Sequence, residues 1–141
     1  MDILVVGSLN MDLTATTKHL PEKGETVLGE KLIKKPGGKG ANQAVSAAKL
    51  GGKTWMLGKV GKDEHGKILK NNLKKYNVNV DYLSEDINTQ TGTAIIEVDY
   101  EGNNTIVVIP GANNNLIPSD VNNIKNKIDN TSPIKYLEFI K

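Results

Sequence analysis

Two short clusters in this sequence carry residue types that can hold a polyhydroxylated ligand. One is Asn10-Met11-Asp12, and the other is Pro36-Gly37-Gly38-Lys39-Gly40-Ala41-Asn42-Gln43. Asn10 and Asp12 lie two apart just after an apolar run, so they project to one side if the chain stays extended there. In the second cluster the glycines let backbone come close to a ligand, because no Cβ intervenes. An alanine-rich helical pattern follows at once (Ala41, Ala44, Val45, Ala47, Ala48, Leu50). Lys39 and Asn42 therefore fall where a glycine turn feeds a helix N-terminus, whose free N–H groups favour anionic or strongly polar groups. A carboxylate, two carboxamides and a lysine over a glycine bed suit a sugar, since each hydroxyl both donates and accepts and these side chains supply both partners.

Plainer readings stand beside this one. Asn10 and Asp12 are also residues that satisfy backbone N–H groups in a turn after a strand, and a glycine run can do no more than start a helix. A nucleotide phosphate loop fits poorly, because Walker A requires Ser or Thr after its G-K, and here Gly40 follows Lys39. A dinucleotide fingerprint also fails, because Gln43 takes the third glycine position and the unit is not the first strand–turn–helix of the chain. His19 and His65 have no cysteine and no paired spacing to suggest a metal site, and read as surface residues.

The elements that must position these groups follow from pattern. Ile3–Gly7 is a short continuous apolar run, as in a buried parallel strand. Leu13–His19 and Glu25–Lys34 alternate, and Pro21-Glu22-Lys23-Gly24 separates them as a turn; they read as antiparallel strands of a partly exposed sheet. Asn42–Leu50 reads as a helix stopped by Gly51-Gly52. Thr54–Val60 reads as a strand, and Asp63 as the cap of a helix to about Tyr76, with Ile68, Leu69 and Leu73 as its apolar stripe. Val78–Leu83 reads as a short strand. Thr91–Tyr100 and Thr105–Pro110 flank Glu101-Gly102-Asn103-Asn104 as a hairpin, and a helix opens at Pro118 or Ser119 and runs to about Ile128. Residues 129–141 look anomalous: another buried strand is due, but Pro133, Lys135 and Lys141 intervene and the apolar residues show no convincing period. Strand–helix alternation through 1–83, with a β insertion at about 13–35, indicates a doubly wound α/β sheet.

Length and composition exclude several classes. At 141 residues the chain is of single-domain size, enough to bury about 68–70% of its unfolded surface. A net charge of +2 gives no electrostatic case for nucleic acid or an anionic membrane. Aromatics at 4% leave little for a base-stacking surface. There is no cysteine, and so no disulfide. The N-terminus lacks a basic start and long apolar run, and no apolar stretch approaches the ~18 residues of a membrane span. The expectation is a soluble, cytoplasmic protein without nucleic-acid or membrane partners.

V-V-G-S-L-N-M-D-L at 5–13, P-G-G-K-G-A-N-Q-A at 36–44, V-G-K-D-E-H-G at 60–66 and I-P-G-A-N at 109–113 together resemble the N-terminal half of the ribokinase-like carbohydrate kinases of the PfkB family, over roughly residues 1–130. The resemblance implies a ribokinase-like doubly wound αβα sandwich, here partial, with a small β-sheet lid built from about 13–35 and 91–110. It implies sugar contacts at Asn10, Asp12, Gly38, Lys39 and Asn42, with Asp12 accepting from a pair of adjacent hydroxyls. Glu138 falls one residue early for a further family sugar contact; a solvated tail residue is the alternative. D-ribose leads as the pentose implied, with fructose-type hexoses and nucleosides as alternatives.

The family transfers phosphoryl from ATP, with Mg2+ and a monovalent cation, and its base is the aspartate of a G-A-G-D motif in the C-terminal half. This sequence contains no G-A-G-D; Gly111-Ala112-Asn113 is the nearest string. The chain is therefore expected to hold the sugar side and lack the phosphate side, to bind no nucleotide or metal alone, and to be inactive alone. The alternatives are a non-catalytic sugar-binding or dimerisation module, and one half of a split kinase whose C-terminal half is a separate chain. Lids of this family pair face to face, which implies a homodimer here.

Overall fold

The apolar run after the N-terminus forms β1 (Asp2–Gly7), and the rest of the main sheet is assembled around it. A computed structural model of the chain describes residues 2–131 and 134–140. β1 pairs in parallel with β4 (Lys53–Gly61) on one side and β9 (Ile134–Ile140) on the other. Beyond β4 lie β5 (Val78–Asn79), beside Thr54 and Trp55, and β6 (Leu83–Asp86), beside Gly58–Gly61.

Alternation along β1 divides the core into two. Val5 packs with Met56, Ala41, Ala44, Leu69 and Leu73 on the face covered by α1 (Lys39–Lys49) and α2 (Glu64–Lys75). Leu4, Val6 and Leu57 face the other way, against Leu116, just before α3 (Pro118–Thr131), and Val121 and Ile124 in its first turns. Helices on both faces of a parallel sheet make the three-layer, doubly wound arrangement that the strand–helix alternation predicts.

A second sheet has the order β3-β2-β7-β8, formed by β2 (Asn10–Thr17), β3 (Gly29–Gly37), β7 (Thr93–Val98) and β8 (Asn104–Ile109). This is the lid. Its strands begin and end a few residues away from 13–35 and 91–110. The difference matters at one end: β2 starts at Asn10, so Asn10 and Asp12 belong to a lid strand. The β7–β8 turn is held by Asp99, whose carboxylate accepts the N–H groups of Glu101 and Asn103 at 2.9 Å while Gly102 takes φ +85°.

Three local expectations need correction. Val78–Leu83 is not one strand. Asn77 has φ +60°, and the Asn79 side chain accepts the Asp81 N–H at 2.8 Å, a local turn that competes with the sheet ladder and splits the segment into β5 and β6. Ile68 does not belong to the buried stripe of α2; it is 39% exposed, whereas Leu69 and Leu73 are buried. The stretch 134–140, expected to be part of an anomalous tail at 129–141, forms β9 with Val5 opposite Glu138 and Val6 opposite Phe139. Strands of a parallel sheet covered on both faces need no alternation, so a missing period was poor evidence against a strand.

Asp63 fastens the lid to α2. Its Oδ1 accepts the Gly66 N–H at 2.8 Å, capping α2 as expected, and also the Thr91 hydroxyl at 2.6 Å. Its Oδ2 accepts the Thr91 N–H at 2.8 Å, two residues before β7 begins. Burial pushes the Asp63 carboxyl up, but the Thr91 and Gly66 donors outweigh it and hold it below the ordinary aspartate value. The stabilisation is therefore present above the ordinary value and is lost as pH falls through the lowered one. Asp63→Ala removes a cap and orphans donors of the buried Thr91, and should lower stability by about 2–3 kcal/mol in urea titrations at pH 7. A loss under ~0.5 kcal/mol would show that water replaces the carboxylate freely.

Candidate functional site

The glycine turn and the first lid strand meet edge to edge. β2 and β3 are antiparallel with Asn10 opposite Gly37 and Asp12 opposite Lys35, which brings the two sequence clusters together although they are some 25 residues apart. Asp12 lies over Gly37: a Cβ built on Gly37 would fall on the Asp12 carboxylate. The carboxylate is half-buried, and burial raises its pKa above the ordinary value. Among the described residues it has no hydrogen-bond partner. An acceptor kept partly from water with nothing donating to it is suited to a ligand that brings donors.

Gly38 has φ +93° and ψ 131°, a conformation open in practice to glycine alone. A Cβ there would lie 2.6 Å from the Ser8 carbonyl oxygen and 2.8 Å from the Asn10 nitrogen and Leu9 Cα. One on Gly40 would lie 2.8 Å from backbone atoms of Gly7 and Ser8. The missing side chains thus have a use beyond ligand approach: they let the start of α1 press onto the Gly7–Asn10 connection, where the Ala41 N–H bonds the Ser8 carbonyl at 3.1 Å. For the same reason α1 begins at Lys39 rather than Asn42. Lys39 and Asn42 are both exposed on its first turn. That turn has no side-chain cap and no acidic residue, so the positive end of the helix dipole is not offset by any acid of its own.

Asn10 is held from a distant part of the chain. Asn113, in the 3-10 turn Gly111–Asn115, donates from Nδ2 to Asn10 Oδ1 and to the Leu9 carbonyl, each at 2.9 Å, and accepts the Leu9 N–H on Oδ1 at 2.9 Å. Gly92 closes the third side, since a Cβ there would overlap Asn113 Nδ2 and Asn10 Oδ1. Sequence reasoning missed Asn113. Its only signal was its place in the I-P-G-A-N string, and nothing local tied it to Asn10.

The structure thus brings Asn10, Asp12 and Gly38 to one place, with Lys39 and Asn42 on the helix turn that starts there. Glu138 has its backbone beside Val5 in β9, but its side chain lies outside the described residues. Among the described residues no three of His, Cys, Asp and Glu cluster as a metal seat. Also among the described residues, no helix is long and apolar enough to cross a membrane.

Comparison with known proteins identifies the family and the fold. The family described as pfkB family carbohydrate kinase matches residues 1–139. A ribokinase of Bacillus subtilis is 48% identical over 128 residues, covering 91% of this chain and 43% of the relative. Of solved structures, ribokinase from Giardia lamblia superposes with a TM-score of 0.85 at 29% identity, over 98% of this chain and 41% of the other. Arabidopsis thaliana ribokinase, complexed with ribose and ATP, superposes with a TM-score of 0.73 at 38% identity, over 79% of this chain and 36% of the other. The chain therefore spans less than half the length of the relatives it matches.

Proposed function

This chain belongs to the pfkB family of carbohydrate kinases, and from that premise we propose that it is the sugar-holding part of a ribokinase-type enzyme and takes D-ribose. The observation that carries the proposal is the Asp12 carboxylate, half-buried over Gly37 without a donor among the described residues, on the same strand face as Asn10. Two adjacent sugar hydroxyls supply the two donors that such a carboxylate accepts. The ribose and ATP in the Arabidopsis relative's complex support a pentose as ligand.

Phosphoryl transfer from ATP needs a positioned hydroxyl, an acceptor for its proton, and N–H or cationic groups around the moving phosphoryl. Asn10, Asp12 and the Gly38–Asn42 turn supply the first. The G-A-G-D string that implies the others is absent from these 141 residues, so we expect binding without turnover. Calorimetry with D-ribose, run beside an assay of ADP release from Mg·ATP, tests both halves. Heat of binding without ribose-dependent ADP is the expected result. No binding at millimolar ribose would remove the sugar reading, and turnover would show that a base and phosphate site lie within this sequence.

The lid supports a dimer as part of the same proposal. It is a single layer whose outer strand leaves Ile106, Val107 and Val108 each more than half exposed, with Val107 and Val108 on opposite faces of β8. Uncovered apolar sheet of this kind favours a partner. Sedimentation velocity should show a dimer that Val107→Asp or Val108→Asp converts to a monomer, and the affected variant identifies the paired face. A wild-type monomer at 100 μM order of concentration would end the dimer proposal.

A further inference from the structure

We propose that Asn113 is a positioning residue that fixes which end of the Asn10 amide meets the sugar; the inference rests on the sugar reading above. An asparagine amide has a donor end and an acceptor end, and only its partners decide which way round it sits. For Asn113 the backbone of Leu9 decides. Its Oδ1 faces the Leu9 N–H and its Nδ2 faces the Leu9 carbonyl. Turned over, the amide would set donor against donor and acceptor against acceptor.

With Asn113 so fixed, its second Nδ2 proton goes to Asn10 Oδ1. The acceptor end of Asn10 is thereby turned toward the protein. Its Nδ2, which has no partner among the described residues, is left as the group offered to a ligand. A sugar hydroxyl that meets Asn10 Nδ2 accepts, and its own proton remains free to go elsewhere. Asp12, on the same strand face two residues on, can only accept when ionised. The direction of hydrogen bonding across the site is therefore set from the Leu9 backbone through Asn113 and Asn10 to the sugar and on to Asp12. An ether oxygen or a carbonyl could satisfy Asn10 Nδ2, but neither can also donate a hydrogen bond to Asp12, as a hydroxyl does. The ligand class selected is a polyol, and the selection begins at a residue 103 positions from Asn10.

The test is a double-mutant cycle read by calorimetry with D-ribose on the full chain, using wild type, Asn10→Ala, Asn113→Ala and the double variant. If Asn113 acts through Asn10, Asn113→Ala weakens ribose binding about tenfold in the wild-type background and less than about twofold when Asn10 is already alanine. Equal losses in both backgrounds would overturn the proposal, because Asn113 would then only be holding the loop. Asn113→Asp is the second variant. It keeps an acceptor for the Leu9 N–H but puts a second acceptor against Asn10 Oδ1, so it should turn Asn10 over and weaken ribose at least as much; wild-type affinity in that variant would also overturn the proposal. Should wild type bind no ribose, the sugar reading alone has failed, and the orientation is still read from side-chain amide exchange by NMR. Slow exchange at Asn113 with free-amide exchange at Asn10 is expected, and the reverse pattern would refute the fixed orientation.

Discussion

Gly38→Ala should lower the stability of the chain by about 3–5 kcal/mol, one of the largest effects a single methyl can have in this fold. Two costs add. The residue has φ +93°, which for an L side chain costs about 1–2 kcal/mol. The new Cβ also lands between 2.6 and 2.8 Å from three backbone atoms of Ser8, Leu9 and Asn10, where no flexible side chain can give way. Relief requires α1 to withdraw from the β1–β2 connection, which breaks the Ala41–Ser8 hydrogen bond and loosens the buried Ala41 and Ala44. Gly51→Ala is the matched control: its φ is +89°, but a Cβ there meets nothing within 4 Å, so only the conformational cost of about 1–2 kcal/mol applies. Urea titrations of the two variants therefore separate the contact from the torsion. Equal losses would mean that the close approach of α1 contributes nothing to stability.

What could be read from sequence was what is encoded within a few residues. The Asp63 cap, the Gly51 stop and the Gly102 hairpin depend on one residue and its neighbours, and each stands where the pattern placed it. The doubly wound sheet and the strands of the second sheet followed from summed patterns of the same kind, whereas their reading as a lid came from the family resemblance. Failures came where a distant contact overrides local signals. β9 takes its place from pairing with β1 across about 130 residues, so its own residues needed no period. α1 starts three residues early because Gly38 packs on Ser8 and Asn10, a contact that no local count of helix formers contains. That Asn10, Asp12 and Gly38 belong together was legible through their types and the family motifs, and the fold does bring them side by side. Asn113 was not legible, because its role lies in a hydrogen bond spanning 103 positions of sequence.

Asp12→Ala should weaken D-ribose binding by more than about a hundredfold, because hydrogen bonds to a charged group contribute about 1.5–3 kcal/mol each and the carboxylate accepts from two hydroxyls in the proposed site. Asp12→Asn keeps the shape and one acceptor oxygen and should cost about tenfold or more. Stability should move the other way. Burial raises the Asp12 pKa above its ordinary value, so the folded chain holds a proton that the unfolded chain has already released. Stability from this group falls as pH rises through the window between the ordinary and the raised value, and stays lower above it. Asp12→Asn should then melt at the same or a higher temperature than wild type at pH 7, with the difference vanishing below that window. In the proposed site ribose donates to the ionised carboxylate, so its affinity should decline as pH is lowered into the same range, and binding at that pH should release protons. A drop in melting temperature for Asp12→Asn at pH 7 would mean that the carboxylate has a partner within the fold. Ribose affinity within twofold of wild type would mean that Asp12 does not receive the sugar. Opposed signs would mark a group kept for a ligand: the fold would bear the cost of a carboxylate with no partner among the described residues, and the hydroxyls of the proposed sugar would offset that cost on binding.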